Sequence, residues 1–243
     1  MNFLKTFAVA SAAILSAPAA MALTIDLFDD PVAQSAVDFT AGAIPQGSQA
    51  TGLNVIGGAR DLWVQTFPAG GFVGTSMTVQ GGELTFNNSS GQSGYAEVVY
   101  DGNDGAPTVG GIADVDTSGL GGIDLTSGIA GQGFLFEVLR SDGLFDFTAT
   151  VWDMMGNFHV YTETIVNLAF DPFLSLSEFT NNGVDVTKVG AIAFTVRSTD
   201  PDVDGALGSI TVVPLPASAL LLLGGLGGLF GVSAVGRRRR HLA

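Results

Sequence analysis

The stretch LFDFTATVW, residues 144–152, decides the fold class of this chain. Apolar side chains alternate with polar ones along it, at Phe145, Phe147, Ala149 and Val151. This period of two is typical of a half-buried antiparallel strand, because successive side chains of a strand point to opposite faces. Residues 153–157 are then expected to form a loop, and residues 158–166 to return as a second strand.

Short runs with the composition of strands, separated by turn residues, recur along the rest of the chain. They cover residues 24–28, 62–67, 76–80, 83–87, 133–140, 191–198 and 207–212. Neither a convincing helical period nor an internal repeat accompanies them, which disfavours a propeller or solenoid. The prediction is therefore an all-β chain, an antiparallel β-sandwich of jelly-roll type, with long loops in the glycine-rich residues 101–133.

Charge is distributed unevenly along the sequence. All 23 acidic residues lie between Asp26 and Asp204, where only four basic residues accompany them, a formal charge of −19. Such a surface repels phosphate backbones, so nucleic-acid binding is disfavoured, and it attracts divalent cations. Cysteine is absent, so the domain has neither disulfides nor thiol chemistry.

Residues 1–22 have the pattern of a secretory signal peptide. Lys5 precedes an apolar stretch that is too short to span a bilayer comfortably. Ala20 and Ala22 form a small-x-small site at which signal peptidase is expected to cut, leaving Leu23 as the first residue. The alternative is an uncleaved anchor.

The C-terminal residues combine an apolar run with a cluster of arginines. Residues 217–235 are uncharged, and 19 residues at about 1.5 Å each reach across a bilayer as a helix. The positive-inside rule places the following Arg237, Arg238, Arg239 and Arg240 in the cytoplasm. Residues 23–212 would then form an ectodomain outside the membrane.

A proline-containing motif stands directly before this run. It consists of Val213, Pro214, Leu215, Pro216 and Ala217. The order of motif, helix and arginine cluster over residues 213–240 resembles the PEP-CTERM sorting signals, in the VPLPA variant. The resemblance implies an exosortase as partner and an inner-membrane precursor that later reaches the cell surface or the extracellular space. It also implies a bacterium that makes extracellular polysaccharide. An ordinary single-pass anchor is the alternative.

The ectodomain itself resembles carbohydrate-binding jelly rolls in outline. The resemblance rests on three segments, GGARDL at residues 57–62, GELTFN at 82–87 and VGAI at 189–192. It comes with no assigned activity. An ion pair between Arg60 and Asp61 is predicted to tie the first of these segments locally.

Catalytic chemistry has little support in the sequence. The ectodomain has no cysteine, and its one histidine, His159, is predicted to lie on the exposed face of a strand. No serine stands in a G-x-S-x-G elbow. Two carboxylates can hydrolyse a glycoside, and 23 acidic residues leave that open, although solvated surface acids are the expected interpretation. No catalytic residue is therefore predicted.

Two binding features remain. Asp200, Asp202 and Asp204 precede a glycine in a D-x-D-x-D-G pattern, which predicts a calcium site; an acidic turn is the alternative. Trp63 and Trp152 could stack on sugar rings if exposed together, although packing in the core is the expected role.

The sequence thus favours a non-enzymatic surface or matrix protein that acts in adhesion, polysaccharide contact or matrix structure. A secreted glycoside hydrolase or lyase is the alternative. Clustered exposed aromatic residues would favour binding, and a deep groove with two facing acids would favour hydrolysis.

Overall fold

A computed structural model of the chain describes residues 22–39, 46–67, 74–109, 114–126, 128, 131–165, 171–198 and 200–214. Ala20 and the rest of the predicted signal peptide up to residue 21 lie outside these residues. So do Leu215, Pro216, Ala217, the apolar run and the arginine cluster. Within the described ranges, no helix is long and apolar enough to cross a membrane.

The described residues form thirteen strands and one short α-helix. The strands are β1 Leu23–Asp26, β2 Gln34–Asp38, β3 Gln46–Thr51, β4 Ala59–Thr66, β5 Thr75–Gln80, β6 Glu83–Asn88, β7 Gly94–Tyr100, β8 Gln132–Ser141, β9 Phe145–Asp153, β10 Phe158–Ile165, β11 Phe173–Ser175, β12 Val189–Arg197 and β13 Gly205–Pro214. Helix α1 is Leu176–Asn181, and a 3-10 turn, Ile56–Gly58, precedes β4.

The strands build two antiparallel sheets. The seven-stranded sheet has the order β11-β8-β13-β6-β5-β2, with β1 also paired to β13. The six-stranded sheet has the order β10-β9-β12-β7-β4-β3. From β6 onward the chain repeatedly crosses between the sheets, as in a jelly roll. The predicted antiparallel β-sandwich is confirmed.

The core lies between the sheets and is rich in aromatic rings. The ring of Phe194 from β12 meets Phe134 and Phe136 from β8 edge-on, with centroids 5.1 Å apart in both cases. Phe136 also lies 4.3 Å from Phe147 of β9. Phe147 is buried, as are Ala149 and Val151 on the same strand. The period of two in residues 144–152 therefore identified the core face of β9 correctly.

Several elements were absent from the prediction. β3 reads QGSQAT and is an edge strand with largely exposed side chains, so it has no apolar face to reveal it. β7 lies in the middle of its sheet, and its buried residues form a nearly continuous run without alternation. Helix α1 has only six residues, which is too short to show a helical period. β13 continues to Pro214, two residues past the expected end of the ectodomain.

The predicted ion pair between Arg60 and Asp61 is wrong. Consecutive residues of a strand point to opposite faces, so the two side chains of β4 separate. Arg60 is fully buried on the core side, where its guanidinium lies 2.7 Å from an Asp26 oxygen and 2.8 Å from an Asp30 oxygen. Its Nε donates to Gln34 at 2.8 Å. Arg60 therefore ties β1 and the segment after it to β2 and β4.

Candidate functional site

A groove of about 250 Å³ runs along the outer face of the six-stranded sheet, which faces away from the core. Four neighbouring strands contribute its walls, β7, β12, β9 and β10. Side chains two apart on a strand share a face, so regular alternation brings them together. The lining residues are Tyr95, Glu97, Asp146, Thr148, Thr150, Trp152, Val160, Thr162, Thr195 and Arg197.

The buried carboxylate of Glu97 organises one wall of the groove. One oxygen accepts a hydrogen bond from Trp63 Nε1 at 2.9 Å. The other accepts from the hydroxyls of Tyr95 and Thr195. Burial, together with the charge of Glu97, raises the pKa of Tyr95, so its hydroxyl stays a protonated donor. Both oxygens of Glu97 are therefore engaged by neutral donors that it holds in place.

Trp63 and Trp152 come together on this outer face, as members of one cluster with Val99 and two alanines of β12. They are only 4 % and 2 % exposed. Trp63 packs on Tyr95 with ring centroids 4.6 Å apart, and residues of the segment after β7 cover the cluster. The expected packing role therefore fits both tryptophans, although Trp152 also lines the groove.

An exposed apolar rim borders the groove along edge strand β10. Phe158 is 45 % exposed and stands opposite Trp152 in the strand register. The two rings stack with centroids 6.1 Å apart and planes inclined by 28°. Val160, two residues further on, is also exposed. Sequence reasoning missed Phe158, although its place directly after the four-residue loop 154–157 and its alternation with His159 could have shown it.

The turn that leads into this rim is held by Asp153. Its carboxylate accepts hydrogen bonds from the backbone N–H groups of Met155, Asn157 and Asp185 and from the Asn157 side chain, at 2.9–3.1 Å. Burial would raise the pKa of Asp153, but these hydrogen bonds outweigh it and lower the pKa below its usual value. The ionised carboxylate thus fixes the position of Phe158.

His159 does not lie on the exposed face that was predicted for it. Phe158 and Val160 occupy that face, and His159 points the other way, where its ring lies 6.0 Å from Phe179 of α1 in an edge-on contact. The prediction was wrong because β10 exposes its apolar residues to the groove and not to the core. His159 is outside the groove.

The predicted calcium-binding residues take part in hydrogen bonds between loops. Asp202 accepts from the backbone N–H of Gly91 at 2.6 Å, and Asp204 accepts from that of Asn88 at 2.8 Å. The carbonyl of Asp200 accepts from the Ser198 hydroxyl. In the part of the chain that the structure describes, no group of three or more acidic or histidine side chains is placed to hold a metal. Calcium binding at this loop stays a prediction.

A second, larger cleft of about 830 Å³ lies between edge strands β2 and β3, where the two sheets meet. Its floor includes Gln34, whose amide donates to the backbone oxygens of Ser48 and Arg60 at 2.9 and 3.0 Å. Its described lining contains no aromatic side chain. The groove on the six-stranded sheet is therefore the better candidate for recognition of a ring-shaped ligand.

Comparisons with other proteins give remote structural similarities only. No protein-family model and no curated protein matches the chain. A family 11 carbohydrate-binding module of a cellulosomal cellulase of Clostridium thermocellum is similar at 12 % identity and a TM-score of 0.35, over 82 % of this chain and 97 % of that one. A family 30 carbohydrate-binding module of another cellulosomal cellulase of that organism has 14 % identity and a TM-score of 0.34, over 74 % and 98 %.

The structure of PfGH50B is similar at 14 % identity and a TM-score of 0.38, over 63 % of this chain. The match spans 22 % of the length of PfGH50B.

Proposed function

We propose that this chain is a non-enzymatic carbohydrate-binding protein whose groove on the six-stranded sheet holds part of a neutral polysaccharide. The observation that carries this proposal is the exposed Phe158, stacked on Trp152 at the border of a groove lined with hydroxyl groups. Aromatic rings offer a large, rigid apolar surface, which suits the C–H face of a sugar ring. Specificity then comes from a few polar groups placed beside that surface.

The groove supplies such polar groups. Thr148, which is half-buried, and Thr162, which is exposed, stand opposite each other on β9 and β10, with their hydroxyl oxygens 2.9 Å apart. Thr150 and Thr195 lie deeper in the same groove. Hydroxyls both donate and accept hydrogen bonds, as sugar hydroxyls do, so they pair without leaving a buried charge.

Charge favours a neutral glycan over an acidic one. The groove contains the carboxylates of Glu97 and Asp146 beside the single cation Arg197. The ectodomain around it carries a formal charge of −19. A polyuronate or sulfated chain would therefore be repelled over a long range, whereas a neutral chain would not.

The second candidate is a glycoside hydrolase, because two acids, Glu97 and Asp146, line the same groove. Glu97 fits an acceptor better than a catalytic acid, since its two oxygens already bind three donors. An assay for new reducing ends, run beside the binding assay, separates the two candidates. Release of reducing ends that Glu97→Gln abolishes would replace the binding proposal by hydrolysis.

The binding proposal is tested with the full chain by affinity electrophoresis on a panel of neutral polysaccharides. Phe158→Ala should weaken retention at least tenfold, which corresponds to about 1.4 kcal/mol. The matched control is Phe39→Ala, because Phe39 is 64 % exposed just after β2, in the other sheet. Equal binding by wild type and Phe158→Ala, or equal loss in both variants, would contradict the proposal.

We propose in addition that the protein is exported and sorted to the cell surface by an exosortase. The sequence motif of residues 213–217, the apolar run and the arginine cluster support this. Strand β13 ends at Pro214, so a cut near Pro216 would leave all thirteen strands intact. Intact-mass analysis in the native host should show a chain that begins near Leu23 and lacks Arg237 to Arg240. A mature chain that retains these arginines while the exosortase is present would contradict the proposal.

A further inference from the structure

Two buried carboxylates lie side by side on the outer face of the six-stranded sheet, away from the groove. They belong to Asp61 of β4 and Asp101, which follows β7 directly, and each residue is 1 % exposed. Asp61 stands opposite Val99 in the strand register, and Asp101 is two residues further along the same face. Residues 104–109, the covering segment, follow β7 and fold back over both of them.

Thr108 of that segment contacts both acids. Its backbone N–H donates to Asp61 Oδ2 at 2.7 Å, and its hydroxyl donates to Asp101 Oδ2 at 3.1 Å. The backbone N–H of Asp116 donates to the same Asp101 oxygen at 3.1 Å. Asp61 Oδ1, in contrast, is buried and has no hydrogen-bond partner among the described residues. A donor is thus missing at one oxygen of a closed site.

Gln49 is the neighbour that could supply this donor, but its amide group donates to other acceptors. Gln49 stands opposite Asp61 on β3. Its amide nitrogen donates to Asp104 Oδ1 at 2.7 Å and to the carbonyl of Ala106 at 3.0 Å. Gln49 is close enough to the Asp61 carboxylate to lower its pKa, but its two amide hydrogens point to Asp104 and Ala106, and Asp61 Oδ1 has no hydrogen bond of normal geometry.

No positive charge of the described chain neutralises the two acids. The four basic residues of the ectodomain have other contacts, which are Arg60 with Asp26 and Asp30, Arg140 with Glu83, Lys188 with Asp185, and Arg197 over the Phe67 ring. Two buried carboxylates without a counter-charge are costly. Burial accordingly raises the pKa of both acids, that of Asp61 to about 6.

We propose that Asp61 and Asp101 hold a divalent cation of the calcium class, with Asp61 Oδ1 as a direct ligand. Calcium accepts six to eight oxygen ligands, and backbone carbonyls, hydroxyls and water complete its shell readily. Two carboxylates neutralise its charge, so the ion removes the repulsion between them and fills the missing contact. The bound ion would fasten the covering segment over the Trp63 cluster. This site is separate from the proposed sugar-binding groove and does not depend on it.

Terbium offers a direct test, since it replaces calcium and emits when a nearby tryptophan is excited. Trp63 is two residues from Asp61 on the same face of β4, a backbone distance of roughly 7 Å. The full chain should therefore show tryptophan-sensitised terbium emission that calcium displaces. Calcium at about 100 times its dissociation constant should also raise the melting temperature by about 5–10 °C. Magnesium, which prefers a smaller octahedral shell, should do so much less.

Asp61→Asn keeps the shape of the side chain but removes its charge, and it should abolish both the emission and the calcium-induced shift. Asp202→Asn, in the loop predicted from the sequence, is the matched control and should leave both responses intact. If Asp61→Asn does not fold, as judged by circular dichroism, Asp101→Asn replaces it with the same expected result. Loss of the response in Asp202→Asn alone, its persistence in both Asp61→Asn and Asp101→Asn, or no response in the wild type would overturn the proposal.

Discussion

Arg60 and Asp61 are adjacent in the chain, but the surroundings of their charges on the two faces of β4 are very different. On the core side, Arg60 is fully buried and meets two carboxylates, a glutamine oxygen and, at 5.8 Å, the ring of Phe28. Tyr100 adds a hydrogen bond to the Asp26 carboxylate at 2.8 Å. On the outer side, Asp61 is equally buried but has one oxygen without a donor and an acidic neighbour.

The difference shows that the two faces of one sheet place neighbouring charges in different surroundings. On the core side of β4 the charge of Arg60 is neutralised by internal partners, because an unpaired charge there would cost several kcal/mol. On the outer side of β4 one buried oxygen of Asp61 has no donor. Open polar groups next to fixed aromatic rings are suited to external partners.

Replacing Arg60 should have the largest effect. Arg60→Met keeps much of the side-chain volume but leaves Asp26 and Asp30 without their counter-charge, so we expect a loss of about 3–5 kcal/mol in the free energy of unfolding. Urea denaturation of the full chain measures it. Arg197→Met on the outer face is the control, and it should cost less than about 1 kcal/mol because Arg197 is exposed. Equal losses would mean that the two faces do not differ in this way.

Replacing Glu97 tests whether a buried acid on the outer face can also have a structural role. Glu97→Gln replaces one acceptor oxygen by an amide NH2 group, which is a donor, and so leaves a donor among Trp63, Tyr95 and Thr195 unpaired. We expect a loss of about 1–3 kcal/mol in urea denaturation. A variant as stable as the wild type would show that the carboxylate is not needed to hold the groove wall.

The contribution of Asp153 to the stability of the fold should depend on pH. Its pKa in the folded state is lowered relative to the unfolded chain, so its contribution to stability is complete above the unfolded value of about 3.9 and is lost as the pH falls through the folded value. Wild type should therefore be more stable than Asp153→Asn at pH 7, and the difference should shrink towards pH 3. Denaturation of both proteins at the two pH values measures this. A difference that grows on acidification would contradict the assigned direction.

Phe158 should have the smallest effect on stability and a large one on binding. It is 45 % exposed on an edge strand, so Phe158→Ala is expected to cost about 1 kcal/mol or less in unfolding free energy. The same variant should lose retention on the polysaccharide that the wild type binds. A loss of several kcal/mol in unfolding free energy would instead show that Phe158 is a packing residue. It would then not serve as the exposed ring on which the binding proposal depends.

The alternation of residues was sufficient to predict the sheets but not the chemistry of their faces. Phe147, Ala149 and Val151 were correctly assigned to one buried face, because the period of two is a local property of the backbone. For β10 the same reasoning placed His159 outside, and the structure reverses it. An alternating pattern defines two faces but identifies the buried one only when the other face is clearly polar, and in β10 both faces carry apolar residues.

The sequence by itself determined that this chain forms antiparallel strands and that residues 23–212 are strongly negative in charge, and it predicts export and sorting signals at the two ends. These properties depend on neighbouring residues and on composition. Only the tertiary structure decided that Arg60 pairs with Asp26 and Asp30, that Trp63 is covered, and that Asp61 lacks a donor. Such contacts join residues 30 or more positions apart, and they arise only when the strands take their places in the two sheets.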